Sequence, residues 1–360
     1  MMIGNRTKFI VICKNGIDYA RNMMYYLMVL NNTFAALWRR VFNFEDKINT
    51  MFCHNIKEIV LMEAGTLSRK QFDVLTYIEH SDHVNTQREI AEATGMSVGS
   101  VNRVIAALTE QGLIAAGRIT EAGYGALEPY RVRRAVFIAA GFGSRLVPIT
   151  FNTPKPLVRV HGKRIIDTLI DACLGAGIEE IYIVRGYLSE QFDQLLYKYP
   201  MIKFLENPLY NEANNISSAL IARYLLSNAY VFEADLLVSN PKIIKKYHYT
   251  SDFLAIKKDR TDDWCFEAKN GIIVEQKVGG VNCWQMVGVS YWNETDGRKL
   301  ADDIAEVYAT PGGKERYWEQ VPLNYRKKNY AVEIMECFDE DIVEIDTFRE
   351  LKTIDKTYDV

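Results

Sequence analysis

Two glycines and two cations follow an apolar run in the middle of the chain. The segment AAGFGSRLVPITFNTPKPL occupies residues 139–157 and carries Arg145 and Lys155 ten positions apart. Glycine lets backbone N–H groups approach anionic oxygens without an intervening side chain. A proline on each side of Lys155 fixes the local backbone and directs the lysine. These residue types at this spacing predict a polyphosphate site that the two cations approach from different sides.

The two familiar phosphate-binding loops do not match this segment. A dinucleotide-binding fingerprint needs a third glycine or alanine three residues after the second, and Leu146 stands at that position. A Walker A loop needs a lysine next to its last glycine, and Ser144 stands there. What remains is a G-x-G-x-R loop followed by P-K-P-L.

The elements around this loop alternate between strands and helices. The segments EEIYIVRGY, MIKFLENP and AYVFEADLLV predict strands, and SEQFDQLLYKY and NNISSALIARYLL predict helices. This alternation predicts a Rossmann-like, doubly wound and mostly parallel α/β sheet. Ligands of such sheets bind at the carboxyl ends of the strands. Because the glycine loop and Asp235 both lie at strand ends, we expect them to share one cleft.

A carboxylate at Asp235, at the end of an apolar strand, is costly unless it is paired or binds a metal ion. A polyphosphate at the loop would gather several negative oxygens near this carboxylate, and Mg²⁺ is the usual counterion. A second carboxylate, Asp346, lies in the late segment VEIDTFRELKTI. The alternative for Asp346 is that it caps the helix that begins at Thr347.

The loop and the P-K-P-L segment resemble the signature of the nucleotidyltransferases that activate sugar phosphates and phosphocholine. NPLYNEANNISSAL (residues 207–220), GYLSEQF, GVSYW and YWEQVPLNY resemble the choline-phosphate cytidylyltransferase branch more strongly. The resemblance covers about residues 134 to 355. It implies Mg²⁺-dependent transfer of CMP from CTP to phosphocholine, giving CDP-choline and pyrophosphate.

The resemblance also implies roles for individual residues. Arg145 would neutralise the leaving pyrophosphate, Lys155 would orient the attacking phosphate, and Asp235 with Asp346 would hold the metal. The predicted catalytic residues are Arg145, Lys155 and Asp235. The predicted nucleotide-binding residues are Ala140, Gly141, Gly143, Ser144, Arg145, Tyr187, Asn214 and Asn215. The alternative for Asn214 and Asn215 is an ordinary helix cap.

The acceptor end of a phosphocholine site needs an aromatic cage, because a quaternary ammonium has no hydrogen-bond donor. The resemblance assigns this cage to Trp264, Tyr317 and Trp318, with Glu319 adding a compensating charge. The alternative for such rings is core packing, which we expect for Trp284 and Trp292. Other acceptors stay open: 2-aminoethylphosphonate, phosphoethanolamine or a sugar phosphate. A primary ammonium would need carboxylates more than aromatic rings. No motif decides between CTP and UTP.

Residues 65–130 predict a different, helical domain. Thr86 and Glu89 form a capping box, Gly95 supplies a turn and Ser97 caps the next helix. The segment resembles the winged helix of MarR-like regulators, which implies DNA reading by Ser97, Ser100, Asn102 and Arg103. Residues 65–130 contain five Lys/Arg and eight Asp/Glu. This net negative charge weakens the DNA interpretation, because phosphate contacts supply most DNA affinity. The alternatives are a degenerate or dimerising module, with a homodimer left open, or a DNA-binding regulator whose C-terminal domain senses the nucleotide.

Composition sets the remaining expectations. The chain has 360 residues, 48% of them hydrophobic, and a formal charge of -3, which gives no overall attraction to nucleic acid or membranes. Six scattered cysteines without a C-x-x-C pair predict free thiols in a reducing cytoplasm. Residues 1–60 are an extension of uncertain status, and its apolar run is shorter than a membrane span requires. Three interpretations stay open for this extension: a packed helix, a membrane-surface helix, or sequence upstream of the true start. We expect the catalytic domain at residues 134–360.

Overall fold

The structure, a computed structural model, describes residues 66–359. The prediction of an extension at residues 1–60 lies outside the described residues. Every helix between residues 66 and 359 is too short or too polar to span a bilayer. The described cysteines are free and buried: Cys173, Cys265, Cys283 and Cys337.

The N-terminal part is a small helical domain with a two-stranded wing. Thr86 and Glu89 close the predicted capping box, and Gly95 adopts the left-handed conformation (φ 65°) that turns the chain. Ser97 caps the next helix by accepting from Ser100 N. The local signals therefore gave the right elements. They are α1 (Arg69–His80), α2 (Gln87–Thr94), α3 (Val98–Glu110), β1 (Ile114–Ala115), β2 (Arg118–Ile119) and α4 (Glu121–Leu127).

The C-terminal part is built on a seven-stranded sheet. The strands of this part are β3 (Arg134–Ile138), β4 (Arg159–Val160), β5 (Lys163–Arg164), β6 (Glu180–Arg185), β7 (Lys203–Glu206), β8 (Ala229–Glu233), β9 (Leu236–Val238), β10 (Asp252–Lys269), β11 (Ile272–Trp292), β12 (Glu333–Cys337) and β13 (Ile342–Glu344). The order in the sheet is β10-β12-β11-β8-β3-β6-β7. The strands β8, β3, β6 and β7 pair in parallel, as the alternation predicted, whereas β11 pairs antiparallel to β8.

Helices cover both faces of this sheet, and each face has its own hydrophobic core. Phe137 and Phe232 lie in one core, and Val136, Val231 and Trp292 in the other, because neighbouring residues of a strand point to opposite faces. This arrangement confirms the doubly wound α/β fold. The helices are α5 (Ile165–Gly175), α6 (Ile216–Ala222), α7 (Glu294–Tyr308) and α8 (Phe348–Ile354).

Two predicted elements differ in form. The segment Ser189–Tyr197 is a 3₁₀ helix rather than an α-helix. Its two buried side chains, Phe192 and Leu195, are three residues apart, which matches three residues per turn and keeps both on the core side. The predicted strand at residues 229–238 is interrupted at Ala234 and Asp235, and its second half pairs with β13 in a separate small sheet. That interruption places Asp235 at the end of β8.

The helical domain packs against the sheet domain through α1. The rings of Phe72, Tyr130 and Tyr249 form one cluster, with Tyr130 and Tyr249 stacked at 5.4 Å. Arg69 pairs with Glu333 at the start of β12, at 2.8 Å. Residues 67–359 accordingly form one compact unit.

Candidate active site

The glycine loop follows β3 and is held in a conformation that needs glycine. Gly143 has φ 61°, and a Cβ there would lie 2.9 Å from Cβ of Lys155. The carbonyl of Gly143 accepts a hydrogen bond from Thr150 Oγ1 at 2.9 Å. Leu146 packs into a small hydrophobic cluster beneath the loop. The backbone of the loop therefore approaches Lys155 closely.

Lys155 lies between two carboxylates rather than in open solvent. It is 8% exposed, and its Nζ lies 2.7 Å from Asp235 Oδ2 and 3.0 Å from Asp346 Oδ1. Arg145, which is mostly exposed, pairs with the other oxygen of Asp346. Burial works to lower the pKa of Lys155, but the two carboxylates outweigh it and raise that pKa. The structure thus brings all four residues together.

Asp346 does not cap the helix that follows it. Thr347 is the N-cap of α8 and completes a capping box with Glu350. The side chain of Asp346 is therefore free to bind Lys155 and Arg145, and the alternative interpretation of this residue is not needed.

Further carboxylates surround Asp235. Oxygens of Glu233, Asp235 and Glu344 lie within 4.8 Å of one another. Burial, followed by Asp235 and Asp346, raises the pKa of Glu344 to about 8. Burial and then Glu319 raise the pKa of Glu233 well above its ordinary value. Sequence reasoning missed Glu233 and Glu344 as site residues, although both belong to the EAD and VEID segments that drew attention to their aspartates.

The donor set fits a hard divalent cation such as Mg²⁺. All the candidate ligands are carboxylate oxygens, which Mg²⁺ prefers. Asp235 Oδ1 is buried and has no hydrogen-bond partner among residues 66–359. A buried oxygen of this kind is costly unless a cation or donor satisfies it.

A second buried carboxylate extends the cleft away from Lys155. Glu319 is 1% exposed and accepts hydrogen bonds from Asn215 Nδ2 at 3.3 Å. Asn215 Oδ1 in turn accepts from Trp318 N at 2.9 Å. Burial raises the pKa of Glu319, which lies against Glu233. Glu233 therefore links the Lys155 region to Glu319.

Two of the three predicted cage rings pack against each other, one of them on the segment that carries Glu319. Trp264 and Tyr317 meet edge to face with centroids 5.9 Å apart, and Tyr317 is 43% exposed. Trp318 is different: its ring is 2% exposed and packs among Phe253 and Trp292 in the core. We therefore remove Trp318 from the cage, because its ring is enclosed by apolar neighbours.

The remaining predicted nucleotide-binding residues lie around the loop or beyond it. Tyr187 donates its hydroxyl to Thr150 O at 2.9 Å, and its N–H bonds Ala140 O at 3.0 Å. Gly141 and Ser144 are exposed on the loop. Asn214 instead bonds the backbone of residues 314 and 315, as Asn215 bonds that of Trp318. Both asparagines thus join the loop before α6 to the segment that carries Glu319, and neither side chain caps α6.

The predicted DNA-reading residues lie at the start of α3. Asn102 and Arg103 are exposed, whereas the Ser97 hydroxyl is engaged in capping and Ser100 is half-buried. Of the acidic residues that weakened the DNA interpretation, two pair with basic residues of the catalytic part or of the linker before it. Glu79 bonds Lys246 at 2.6 Å and Glu128 bonds Arg133 at 2.9 Å.

Comparison with known proteins matches both halves of the chain. Residues 134–259 match the family model described as Nucleotidyl transferase, and residues 66–121 match the MarR family model. The chain is 36% identical over 229 residues to the 2-aminoethylphosphonate cytidylyltransferase of Lancefieldella rimae, covering 62% of this chain and 92% of that protein. It is 31% identical to the choline-phosphate cytidylyltransferase of Streptococcus pneumoniae, covering 62% of this chain and 97% of that protein.

A solved structure agrees with these relatives. The CTP:phosphocholine cytidylyltransferase structure from Streptococcus pneumoniae superimposes with a TM-score of 0.59 and 29% identity, covering 63% of this chain and 99% of that one. The inositol-1-phosphate CTP transferase of T. maritima, at 16% identity and a TM-score of 0.52, shares the fold.

Proposed function

Because this chain belongs to the nucleotidyl transferase family, we propose that it transfers CMP from CTP to a small phosphonate or phosphate that carries an amine. The catalytic domain is residues 134–360, and the winged helix is residues 65–130. Among the acceptors, a primary ammonium such as that of 2-aminoethylphosphonate fits the cleft best. The relative from Lancefieldella rimae carries that acceptor in its name.

The buried carboxylate of Glu319 carries this choice of acceptor. It lies beside a second carboxylate, Glu233, and accepts hydrogen bonds from a neutral amide, Asn215. A primary ammonium brings three N–H donors to such oxygens, whereas a trimethylammonium brings none. The edge-to-face pair of Trp264 and Tyr317 favours the second candidate, phosphocholine, since aromatic faces attract a quaternary cation.

The side chains at the other end of the cleft perform the transfer. The acceptor phosphonate is already ionised at neutral pH and needs no general base, so the task is positioning and charge stabilisation. Lys155 orients the attacking oxygens at the α-phosphorus, and Arg145 neutralises the pyrophosphate that leaves. The loop from Ala140 to Ser144 holds the triphosphate through backbone N–H groups. Mg²⁺ bound by Asp235, with Asp346 or Glu344, would neutralise phosphate charge.

The direct test measures pyrophosphate release by the purified full-length protein. Each nucleoside triphosphate is supplied with Mg²⁺ and with 2-aminoethylphosphonate, phosphoethanolamine, phosphocholine or no acceptor. We expect release that requires CTP together with an amine-bearing acceptor, highest with a primary amine. If UTP were the one nucleotide that supported release, the choice of base would be overturned. If no acceptor supported pyrophosphate release with any nucleotide, the enzyme assignment would be overturned.

Two variants then separate the acceptor classes. Glu319→Ala should raise the KM for a primary-amine acceptor more than Trp264→Ala does. The opposite order would make phosphocholine the acceptor.

A second function, DNA binding by the winged helix, is favoured by the pairing of its acidic residues. Glu79 and Glu128, two of the eight acidic residues, are neutralised by Lys246 and Arg133, whereas Arg103 projects from α3. The exposed face is therefore less acidic than the sequence sum indicates. Fluorescence anisotropy with DNA from upstream of the chain's own gene tests this function. Absence of DNA binding at low salt would rule out this second function.

A further inference from the structure

Lys155 occupies the position between the two aspartates that were predicted to hold a metal ion. Its Nζ lies 2.7 Å from Asp235 and 3.0 Å from Asp346, both hydrogen-bond distances to carboxylate oxygens. The side chain is 10% exposed, so little water screens it. An ammonium at this position neutralises charge on the two carboxylates, as a divalent cation would.

The backbone holds the lysine in this position. Lys155 lies in a 3₁₀ turn between Pro154 and Pro156. Gly143 passes so close that a Cβ there would lie 2.9 Å from Cβ and 3.6 Å from Cδ of Lys155. The lower part of the side chain is therefore confined, and the terminal carbons and Nζ are the part that is free to move.

A metal ion and the ammonium exclude each other at these oxygens. Mg²⁺ binds carboxylate oxygens at about 2.1 Å, so an ion held by Asp235 and Asp346 together would need the space that Nζ occupies between them. Two cations at such a separation repel strongly in a partly buried cleft. The ammonium must leave before that position is filled.

We propose that Lys155 is the resident cation of the metal-free cleft, and that a divalent cation enters between Asp235 and Asp346 by displacing it. The inference rests on the proposed function, in which the cleft binds a metal ion. Displacement turns the ammonium from the carboxylates to the phosphate oxygens of the acceptor. One side chain thereby couples metal binding to readiness for the substrate.

The competing arrangement leaves Lys155 in place. In it, the metal ion would bind among Glu233, Asp235 and Glu344 on the other side of Asp235, through the buried Oδ1. The two arrangements predict different behaviour when Lys155 loses its charge, because the lysine is a competitor in the first and a bystander in the second.

Mn²⁺ binding by electron paramagnetic resonance, with the full-length protein and without nucleotide, separates them. Lys155→Met should bind Mn²⁺ at least about tenfold more tightly than the wild type, since the competing charge is gone. Arg145→Met is the matched control, because it removes one charge beside Asp346 from a side chain that is 67% exposed and therefore screened, so its effect should stay below about threefold.

Equal effects of the two variants would overturn the proposal, since they would reflect general electrostatics. Unchanged affinity in Lys155→Met, with loss of binding in Glu344→Gln, would overturn it in favour of the competing arrangement. The Mn²⁺ measurements do not depend on turnover, so a failure of the protein to transfer CMP would not change their interpretation.

A second measurement uses the wild-type protein and avoids any folding defect of the variant. Reductive methylation of Lys155, followed by mass spectrometry, reports how free the amine is. Mg²⁺ alone should raise the methylation rate of Lys155 several-fold and leave that of the exposed Lys163 unchanged. A rate for Lys155 that stays constant or falls with Mg²⁺ would overturn the proposal.

Discussion

Acidic residues have different surroundings in the cleft and in the winged helix. In the cleft, Asp235 and Asp346 contact two cations, and Glu233 and Glu344 lie half-buried beside Asp235. Glu319, next to Glu233, is fully buried. In the winged helix, the acidic residues nearest the catalytic part pair with basic residues, Glu79 with Lys246 and Glu128 with Arg131 and Arg133. An excess of negative charge in a partly buried cleft indicates a site that awaits cations, whereas paired charges indicate a structural junction.

The comparison predicts that damage to one region leaves the function of the other intact. Lys155→Ala gives the largest effect: turnover should fall by roughly 10³-fold, since a preorganised cation is lost from the reacting phosphates. Pyrophosphate release measures this, and DNA affinity should stay unchanged. Lys163→Ala, an exposed lysine of the same domain, is the control. Wild-type turnover in Lys155→Ala would sink the catalytic assignment.

Glu319→Gln tests the acceptor end of the cleft. Loss of the charge should raise the KM for the amine acceptor by about 10- to 100-fold, the range for a hydrogen bond to a charged group. The KM for CTP should change little. Glu315→Gln makes the same change four residues earlier on an exposed side chain and should be silent. If the KM for CTP rose instead, Glu319 would belong to the nucleotide.

Gly143→Ala tests the backbone of the loop. The residue has φ 61°, and the new Cβ would meet Lys155 at 2.9 Å, so the loop must shift. We expect kcat/KM for CTP to fall roughly tenfold, in line with the ~1–2 kcal/mol cost of left-handed backbone. Gly175→Ala, where a Cβ meets no atom within 4 Å, should behave as wild type. Equal losses in both variants would place the effect in general stability.

Arg103→Ala gives the smallest effect and addresses the winged helix alone. DNA affinity should fall by about three- to tenfold and the salt slope by about one, as expected for one lost phosphate or base contact. Turnover should not change. Arg298→Ala, an exposed arginine on α7, is the control for charge. A loss of turnover in Arg103→Ala would show that the two regions are not separable.

Local signals predicted the fold well. Capping boxes, a glycine turn and strand–helix alternation depend on neighbours in sequence, and the structure confirms them. The strand-end argument placed the glycine loop and Asp235 in one cleft, and the resemblance added Asp346, which the structure brings to Lys155 and Arg145.

What the sequence did not predict depends on packing between distant segments. The burial of the Trp318 ring against Phe253 and Trp292 cannot be read from a Y-W-E segment. The contact of Asn215 with Glu319 joins residues 104 positions apart. The pairing of Glu79 with Lys246 spans 167 positions, so a charge count over residues 65–130 does not include it.

The aromatic cluster at the domain junction has a consequence for limited proteolysis. Tyr249 belongs to the second half of the chain by sequence, yet its hydroxyl donates to Leu67 O and its ring stacks on Tyr130. The hydrophobic core of the winged helix likewise includes Tyr247. A protease that cuts the arginine-rich stretch at residues 131–134 would sever the chain without separating the pieces, which should elute together until a denaturant is added.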